Sequence, residues 1–375
     1  MIQDRVRTEA YARALRECIT PDSVVLDMGT GVGIWALLAC QFGARKVYAV
    51  DPNEVIQVAR EFARANGYAD RIQFIQDMTT RISLPEPADL IVTEMHGVLP
   101  MFEQNIASII DARRRLLAPG GRMIPEKETV WAVPIESVES YDHLMLPWSR
   151  NPFGLDLQRA IKFVVNQWRR SKSRIAPEQF LAKPAGWATL DYRTLEEVSF
   201  IGRAEWTADR TGTGHGVLVW FDTTLVDGVS FSTGPEAPEI IFGNGFFPWS
   251  KPVSISAGDT ISVELRADLF DDDYVWSWET VVLEQGSAER VKARFKQSTF
   301  LGVTVSPTML HKRANDYIPR LNEDGRVEQF ALALMDGENS LEEIAGEMAE
   351  RFSDRFVDAQ DALNLVGDLS QRCSG

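Results

Sequence analysis

The stretch Val24-Val25-Leu26-Asp27-Met28-Gly29-Thr30-Gly31-Val32-Gly33 decides the fold. Its apolar start predicts a short strand, its three spaced glycines predict a tight turn, and the apolar residues from Ile34 to Phe42 predict a helix. A glycine turn between a strand and a helix opens a βαβ unit and lets a ligand approach the backbone closely. We therefore predict a cofactor site at this turn.

The same alternation of strands and helices continues to about residue 126. Strands are predicted at 46–50, 72–75 and 90–92, and a helix is predicted at 54–66. The segment 116–125 has the Pro-Gly-Gly turn of a helix end that feeds a strand. The pattern predicts an α/β domain over 1–126, with a Rossmann-like parallel sheet covered by helices.

The spacing of the glycines discriminates between two cofactors. Gly29, Gly31 and Gly33 follow the pattern GxGxG, whereas dinucleotide sites for NAD use GxGxxG. Asp27 precedes the first glycine by two positions, which suits a cofactor without a pyrophosphate. Asp51 ends the second strand, where an acidic residue can accept hydrogen bonds from ribose hydroxyls. S-adenosyl-L-methionine is therefore favoured, with NAD as the alternative.

The pattern changes after Pro125. Three segments alternate apolar and polar residues, namely 217–224, 260–267 and 274–282. This alternation predicts an antiparallel β domain over 127–305, and the aromatic and basic stretch 141–183 within it is interpreted as an inserted helical arm. From 315 to 375 the sequence predicts a small helical module, in which Ser340-Leu341-Glu342-Glu343 is a capping box.

Composition excludes several classes of protein. The chain has 375 residues, 45% of them hydrophobic and 25% charged, which rules out disorder as a global state. Its 39 Lys and Arg against 54 Asp and Glu give a net charge of −15, which argues against a nucleic-acid partner and favours cationic ones. The N-terminus is charged from Asp4 onward and no run of about 18 apolar residues occurs, so neither a signal peptide nor a membrane span is predicted. The cysteines lie far apart and the histidines lack ligand spacing, so we expect no disulfide framework, no metal and a cytoplasmic location.

These features together resemble a class I methyltransferase, and specifically the protein arginine methyltransferases. The resemblance runs from Val24 to Pro125, includes Gly43-Ala44-Arg45-Lys46-Val47-Tyr48-Ala49-Val50, and continues at lower density over about the first 300 residues. In that family, a loop after the fourth strand holds the substrate guanidinium with two glutamates, and Glu94 and Glu103 stand at the matching spacing here. The resemblance also implies a β-barrel for the second domain and a dimerisation arm at 141–183, and hence a homodimer rather than an arm folded onto its own barrel.

The glutamate pair has a physical rationale. A guanidinium stays charged at neutral pH, so the first requirement is to orient it and to localise its charge on one nitrogen. Two carboxylates can grip its planar fork and leave the other nitrogen to attack a sulfonium methyl group. Glu94 or Glu103 could then accept the proton late in the reaction. The alternative is that Glu94 is an ordinary strand-end residue and Glu103 a solvated helix residue.

The resemblance assigns further residues. Arg7 falls where the family places an arginine that pairs with the cofactor carboxylate, with a surface salt bridge as the alternative, and Asp4 falls near an acidic position. Asp77, or a backbone NH, is expected to replace the family's glutamate after the third strand. The predicted catalytic residues are Glu94 and Glu103; the predicted cofactor-binding residues are Arg7, Asp27, Gly29, Thr30, Gly31, Asp51, Asp77 and Glu94; the predicted substrate-binding residues are Met1, Asp4, His96 and Trp249.

Three departures from the family affect the expected substrate. No aromatic lid segment is expected before the arginine helix, because the chain begins at Met1. The Thr-His-Trp loop of the barrel reads Phe247-Pro248-Trp249, and Met95 replaces the aromatic residue that follows the first glutamate. The resemblance therefore favours free arginine, a peptide or another amine over a histone-type protein.

The last sixty or so residues resemble a different family, the PqqD-like winged-helix modules. The resemblance rests on Tyr317-Ile318-Pro319-Arg320-Leu321-Asn322, Phe330-Ala331-Leu332-Ala333-Leu334-Met335-Asp336-Gly337 and the capped helix at Ser340. Those modules capture a leader peptide by adding a strand to a sheet edge, with a purely structural cap as the alternative here.

The leading hypothesis for the whole chain is an S-adenosyl-L-methionine-dependent N-methyltransferase acting on the guanidinium of free arginine, a peptide or a protein. The alternatives are a natural-product methyltransferase with another acceptor and a peptide-binding pseudoenzyme.

Overall fold

The structure is a computed structural model that describes residues 2–287 and 289–374. The chain divides into two compact units, of which the first ends at Thr304 and the second begins at Val305. The first unit contains a parallel sheet followed by two antiparallel sheets. No helix among the described residues is long and apolar enough to cross a membrane.

The N-terminal part of the first unit is a parallel sheet with flanking helices. The helices are α1 (Arg5–Cys18), α2 (Ile34–Gln41), α3 (Ile56–Ala65) and α4 (Asn105–Arg115), and the strands are β1 (Val24–Met28), β2 (Lys46–Val50), β3 (Ile72–Ile75), β4 (Ala88–Thr93) and β5 (Leu117–Ile124). The strand order is β3-β2-β1-β4-β5, and every adjacent pair is parallel. All five residues of β1 are buried because helices cover both faces of the sheet. The order reverses beside β1, so a crevice forms at the carboxyl ends of β1 and β4.

Two antiparallel sheets of six and four strands follow. Their strands are β6 (Lys127–Ile135), β7 (Arg169–Arg170), β8 (Ala185–Asp191), β9 (Phe200–Thr207), β10 (Gly212–Val226), β11 (Val229–Ser232), β12 (Gly245–Ile255), β13 (Thr260–Phe270), β14 (Asp273–Leu283) and β15 (Val291–Ser298). The predicted period of two is present, since buried and part-exposed residues alternate along the whole of β14. Trp278 Nε1 and Gln297 Nε2, both from the four-stranded sheet, donate to the Pro248 carbonyl of the six-stranded sheet at 3.1 and 3.0 Å. One continuous apolar core joins these sheets to the parallel sheet.

The predicted arm begins three residues earlier than expected, with helix α5 (Val138–Ser149). Ser137 caps this helix by accepting a hydrogen bond from the Ser140 backbone. The short helix α6 (Ile161–Val164) and strand β7 follow, and β7 pairs with β12. The buried face of the arm, including Tyr141 and Met145, packs on Leu218 and Phe246 of the six-stranded sheet.

The second unit is helical. Its helices are α7 (Pro307–Lys312), α8 (Glu323–Leu334), α9 (Leu341–Arg351) and α10 (Ala359–Cys373). Val327, Ile344, Met348 and Val366 are among the residues of its own apolar core. Between residues 305 and 374 the structure assigns helices and turns but no strand, so the strands of a winged helix are not seen there.

Candidate active site

The glycine turn is shaped by two of the residues that flank it. Asp27 is completely buried in β1, and its Oδ2 accepts hydrogen bonds from Thr30 Oγ1 at 2.6 Å and from the Ala36 backbone NH at 2.9 Å. These bonds tie the strand to the turn and to the first turn of α2. Burial raises the pKa of Asp27 to about 7. Asp27 and Thr30 therefore build the turn from behind, and neither lines the cavity in front of it.

The face of the turn that a ligand would meet is formed by Gly29. Its φ is +74°, a conformation that favours glycine, and a Cβ at this position would lie 2.8 Å from Met95 Cγ. The loop after β4 therefore covers the glycine turn closely, and a larger residue at position 29 would displace Met95 of that loop.

Asp51 stands at the carboxyl end of β2, where the sequence predicts a ribose contact. Its Oδ2 accepts a hydrogen bond from the Gly31 NH at 2.8 Å, and its Oδ1 accepts one from the Asn53 NH at 2.9 Å. The residue is only 6% exposed. The Asn53 side-chain Nδ2 also donates to Oδ1 at 3.0 Å, so Oδ2, with a single donor, is the oxygen that keeps capacity for a ligand hydroxyl.

A cavity of about 320 Å³ opens over these residues. It is lined by the ends of β1 and β2 (Met28, Gly29, Val50 and Asp51), by the segment after β3 (Asp77, Met78 and Thr79), and by the loop between β4 and α4 (Met95, His96, Phe102 and Glu103). Its volume falls at the lower end of the range for small-molecule sites. The buried Asp51 carboxylate, the Gly29 backbone and the thioether and aromatic side chains suit the ribose and the adenine of S-adenosyl-L-methionine.

Glu94 follows β4 directly and is held from the N-terminal helix. Arg7 and Tyr11 lie one turn apart on α1; Arg7 Nη1 forms an ion pair with Glu94 Oε2, and the Tyr11 hydroxyl donates to the Thr93 carbonyl at 3.0 Å. The Arg7 and Glu94 side chains are 3% and 6% exposed. Burial raises the pKa of Glu94, and the charge of Arg7 opposes that rise. Glu94 Oε1 is buried and has no hydrogen-bond partner among the described residues.

Asp4 connects the same helix to the β region. It caps α1 by accepting the Arg7 backbone NH at 3.3 Å, and its Oδ2 lies 3.8 Å from Arg7 Nε. The same oxygen accepts the Ile241 backbone NH at 2.8 Å. Asp4 therefore orients Arg7 and fixes the segment before β12 next to the N-terminal helix.

Glu103 is placed differently from Glu94. It is exposed, lines the cavity and has a φ of +45°, which is an uncommon conformation for a residue other than glycine. Glu94 is not among the residues that line the cavity, because it is turned to Arg7. The structure therefore puts the two predicted catalytic glutamates on one loop without bringing their carboxylates together on the cavity wall.

His96 forms a second buried pair in this loop. Its Nε2 lies 2.7 Å from Glu128 Oε1, and the Glu128 carboxylate also accepts hydrogen bonds from Thr223 Oγ1 at 2.9 Å and from the Tyr192 hydroxyl at 2.6 Å. Glu128 is completely buried. Glu128 was not identified from the sequence. A signal was present, since Glu128 stands two and four residues before the buried Val130 and Ala132 and therefore shares their face of β6.

The remaining predicted site residues fall in several places. Asp77 lines the cavity, and its Oδ1 accepts the Met78 NH at 2.7 Å. Gly31 reaches the site only through its bond to Asp51. Trp249 does not belong to the site, because its ring is completely buried against Gly214 and Phe295 in the β region. Met1 lies outside the described residues. Asn53 and Met78, which line the cavity, carried no motif that would have identified them.

Family models match most of the first unit. Residues 7–125 match the model for ribosomal protein L11 methyltransferase (PrmA), and residues 126–281 match the arginine methyltransferase oligomerization subdomain. The boundary between the two models lies next to the predicted boundary at 126.

Curated relatives carry one kind of name. The chain is 30% identical over 273 residues to protein arginine N-methyltransferase 1 of Schizosaccharomyces pombe, covering 70% of this chain and 78% of that protein. It is 31% identical over 245 residues to a probable protein arginine N-methyltransferase 6 of Arabidopsis thaliana, covering 64% of this chain. The chain spans about half (55%) of the length of that plant protein.

Solved structures show the same fold. Protein arginine methyltransferase 10 of Arabidopsis thaliana, in an open conformation, superposes with a TM-score of 0.69 at 25% identity, covering 80% of this chain and 95% of that one. The PRMT1 enzyme-prozyme heterotetrameric complex of Trypanosoma brucei with AdoHcy gives a TM-score of 0.72 at 24% identity, covering 80% and 96%.

Proposed function

Because the chain belongs to the protein arginine N-methyltransferase family, we propose that it transfers a methyl group from S-adenosyl-L-methionine to a guanidinium nitrogen of arginine. The observation that carries this proposal is the buried Glu94 carboxylate, whose Oε1 has no partner at hydrogen-bond geometry among the described residues, although the Trp35 side chain lies beside the carboxylate. A buried carboxylate oxygen without a donor is costly, and a guanidinium supplies a charged donor of matching geometry.

The cofactor would be held by residues on both sides of the glycine turn. Asp51 would accept the ribose hydroxyls, the Gly29 backbone would approach the cofactor closely, and Asp77 with Met78 would border the adenine. Arg7, already beside Glu94, would face the cofactor carboxylate. When bound, S-adenosyl-L-methionine supplies an electrophilic methyl group on a sulfonium.

The loop after β4 would hold the substrate. Glu94 is ion-paired with Arg7 through one oxygen and would present its second oxygen to the guanidinium, while Glu103 stands on the cavity wall as the outer contact. Met95 and Phe102 line the same cavity and would limit the access of water between the two groups. The acceptor is an arginine in a peptide or a protein, or free arginine.

Transfer of a labelled methyl group tests the proposal. The chain would be incubated with methyl-labelled cofactor and a panel of free arginine, arginine peptides and arginine-rich proteins, and the products read by mass spectrometry. We expect label on the guanidinium. Label only on an amine or a hydroxyl would favour the natural-product alternative, and cofactor binding without any transfer would favour the peptide-binding pseudoenzyme.

We also propose that the chain forms a homodimer through the arm. Trp148, Phe153 and Leu155 of the arm are 36, 79 and 59% exposed, and the outer face of α3 exposes Val58 and Phe62. Phe153→Asp should convert the dimer to a monomer in analytical ultracentrifugation, whereas a wild type that sediments as a monomer would contradict the proposal.

The hydrogen bonds from Trp278 and Gln297 to Pro248 support closure of the two antiparallel sheets into a barrel.

For the second unit we propose peptide recognition of the PqqD-like kind. Its support is the capped helix α9 and a separate apolar core. Because no strand is assigned among residues 305–374, the peptide would dock on the helices rather than add a strand to a sheet edge. Binding of a candidate precursor peptide, measured by calorimetry on the full chain and on a chain ending at Thr304, tests it: equal affinities would reject the proposal.

We propose a cytoplasmic location because Cys18, Cys40 and Cys373 are all free thiols.

A further inference from the structure

His96 is a buried histidine with one nitrogen occupied and one nitrogen open. Its side chain is 5% exposed, and Nε2 donates to Glu128 Oε1 at 2.7 Å. Nδ1 is buried without a hydrogen-bond partner among the described residues, although His96 itself lines the cavity. A buried polar atom that faces no partner at a ligand cavity calls for a functional explanation.

The surroundings of His96 fix its ring and its tautomer. Phe221 and Phe242, which also contact each other, both pack against the imidazole, each with its ring centroid 5.4 Å away. Glu128 can only accept hydrogen bonds when ionised, so a neutral His96 must carry its proton on Nε2 and a lone pair on Nδ1. The hydroxyls of Tyr192, just after β8, and of Thr223, in β10, donate to the Glu128 carboxylate and hold it in place. The imidazole is therefore oriented as a base rather than as a donor.

We propose that His96, oriented by Glu128, accepts the proton that the substrate nitrogen loses during methyl transfer. The inference rests on the proposed function. In the step, a nitrogen–carbon bond forms while the carbon–sulfur bond breaks, and sulfur keeps the electron pair. The methylated guanidinium would otherwise carry two positive charges, so it gives one N–H proton to Nδ1, and His96 later releases that proton to water.

The charges around His96 suit this task. Burial lowers the pKa of His96, but the carboxylates of Glu128 and Glu94 outweigh burial and raise it overall, with Arg7 opposing them. The pKa of the Tyr192 hydroxyl is raised by burial and by Glu128, so this phenol stays a donor. A base is most effective when its pKa lies near the working pH, and Glu128 and Glu94 move the pKa of His96 upward from its ordinary value.

Spectroscopy of the histidines tests the inference independently of turnover. The chain has four histidines, so ¹⁵N-histidine labelling gives a simple spectrum, and His96 is assigned by its loss in His96→Gln. We expect the neutral form to show a protonated Nε2 and a bare Nδ1, with a pKa above the ordinary value. A neutral form protonated on Nδ1, or a ring that does not titrate between pH 5 and 9, would overturn the proposal.

Kinetics supply the second readout. Single-turnover transfer to an arginine peptide should rise with pH through the His96 pKa, and His96→Gln should lose this dependence and slow by about 100-fold. Glu128→Gln keeps an acceptor but removes the charge that raises the pKa, so its pH profile should move to lower pH. His215→Gln, at a buried histidine that accepts the Ser137 NH, is the matched control and should change neither rate nor profile.

The outcomes separate this inference from the function on which it rests. A wild type that binds cofactor but methylates no guanidine defeats the proposed function, whatever the tautomer of His96. A wild type that methylates arginine, with His96→Gln and Glu128→Gln retaining its pH profile, defeats only the role of His96. Cofactor affinity and thermal midpoint, measured for each variant, identify one that has merely lost its fold.

Discussion

At the scale of single residues, Glu94 and Asp51 illustrate how two buried carboxylates acquire different tasks. Asp51 is bound to the backbone of the glycine turn and of residue 53, so it faces the cofactor side of the cavity. Glu94 is bound to Arg7 and keeps one oxygen without a partner. In the proposed function, the hydrogen-bond partners, rather than the residue type, would therefore divide the site into a cofactor half and a substrate half.

This division predicts opposite effects of two substitutions. Glu94→Gln should reduce turnover by about 100-fold or more, because the charge that grips the guanidinium is lost, while cofactor affinity stays nearly unchanged. Asp51→Ala should weaken cofactor binding by about 1–3 kcal/mol, the range for loss of a charged hydrogen-bond partner. Calorimetric titration of the cofactor and single-turnover rates measure the two effects.

Glu103→Gln is the comparison for Glu94→Gln, because Glu103 is exposed and its loss leaves no buried charge unpaired. We expect it to raise the KM for the peptide more than it lowers the rate. If the Glu94 and Asp51 variants lose the same function, for instance both losing cofactor, then the proposed division of the site is wrong.

Asp27 predicts a dependence of stability on pH. Its pKa is about 7 in the folded chain and ordinary in the unfolded chain, so between about pH 4 and 7 the folded state holds a proton that the unfolded state has released. The free energy of unfolding should therefore fall as pH rises through this window, by roughly 1.4 kcal/mol per pH unit at most. Asp27→Asn should lack this slope, because the amide can still accept from Thr30 and Ala36 and does not titrate.

The measurement is the thermal midpoint of the first unit at pH 5 and pH 7.5 for both proteins. The wild type should lose more stability than Asp27→Asn over this interval. Parallel slopes would show that Asp27 is already ionised in the fold.

Residues that carry a local pattern were predictable, and residues that act through long-range contacts were not. The glycine spacing and the strand-end positions of Asp51 and Asp77 predicted a ligand site, and Gly29, Asp51 and Asp77 all line the cavity. The partners of His96 lie in distant parts of the chain at Glu128, Tyr192 and Thr223, and only the alternation along β6 hinted at one of them. Trp249 was assigned by resemblance alone, and its burial could not be read from its loop.

At the scale of elements, helix α9 owes its start to a short local motif. Ser340 Oγ accepts the Glu343 backbone NH at 3.3 Å, and Glu343 Oε2 accepts the Ser340 backbone NH at 2.8 Å. This reciprocal pair satisfies two donors that the helix leaves unpaired, and the carboxylate also lies at the positive end of the helix. The position of the helix start therefore followed from four residues of sequence.

Ser340→Ala should destabilise the second unit by about 1 kcal/mol, because the capping oxygen is lost. Hydrogen exchange of the α9 amides should become faster, while exchange in β1 stays the same. Ser353→Ala, at an exposed loop serine of the same unit, is the control and should leave exchange unchanged. Equal effects of the two substitutions would mean that the cap does not limit the opening of α9.

Strands and helices with clear periodicity were predictable to within one or two residues, as at β2 and β3. The arm was not, because its apolar residues divide between the sheet beneath it and exposed positions such as Phe153. No single period describes such a segment. The two-residue strand β7 is likewise formed by pairing with β12 and has no signal of its own.

At the scale of the whole molecule, charge is distributed unevenly. The chain has a net charge of −15, and among the described residues that line the candidate active-site cavity Asp51, Asp77 and Glu103 are acidic and none is Lys or Arg. A separate cavity of about 580 Å³ beside the arm is lined by Arg169, Arg170 and Lys172. The molecule therefore presents a negative field at the site proposed for a cationic substrate.

This field predicts that salt slows capture of the substrate without slowing the chemistry. Raising the ionic strength from about 0.05 to 0.5 M shortens the screening length severalfold, so kcat/KM for a peptide with basic flanks should fall by roughly 10-fold while kcat stays constant. A peptide of the same length whose arginine is flanked by acidic residues should show a much weaker fall, or a rise, because its own charge opposes the field. Steady-state kinetics at four or five salt concentrations measure both slopes. If the two peptides respond equally, the acidic surface serves solubility alone, and substrate selection belongs entirely to contacts within the loop that carries Glu94 and Glu103.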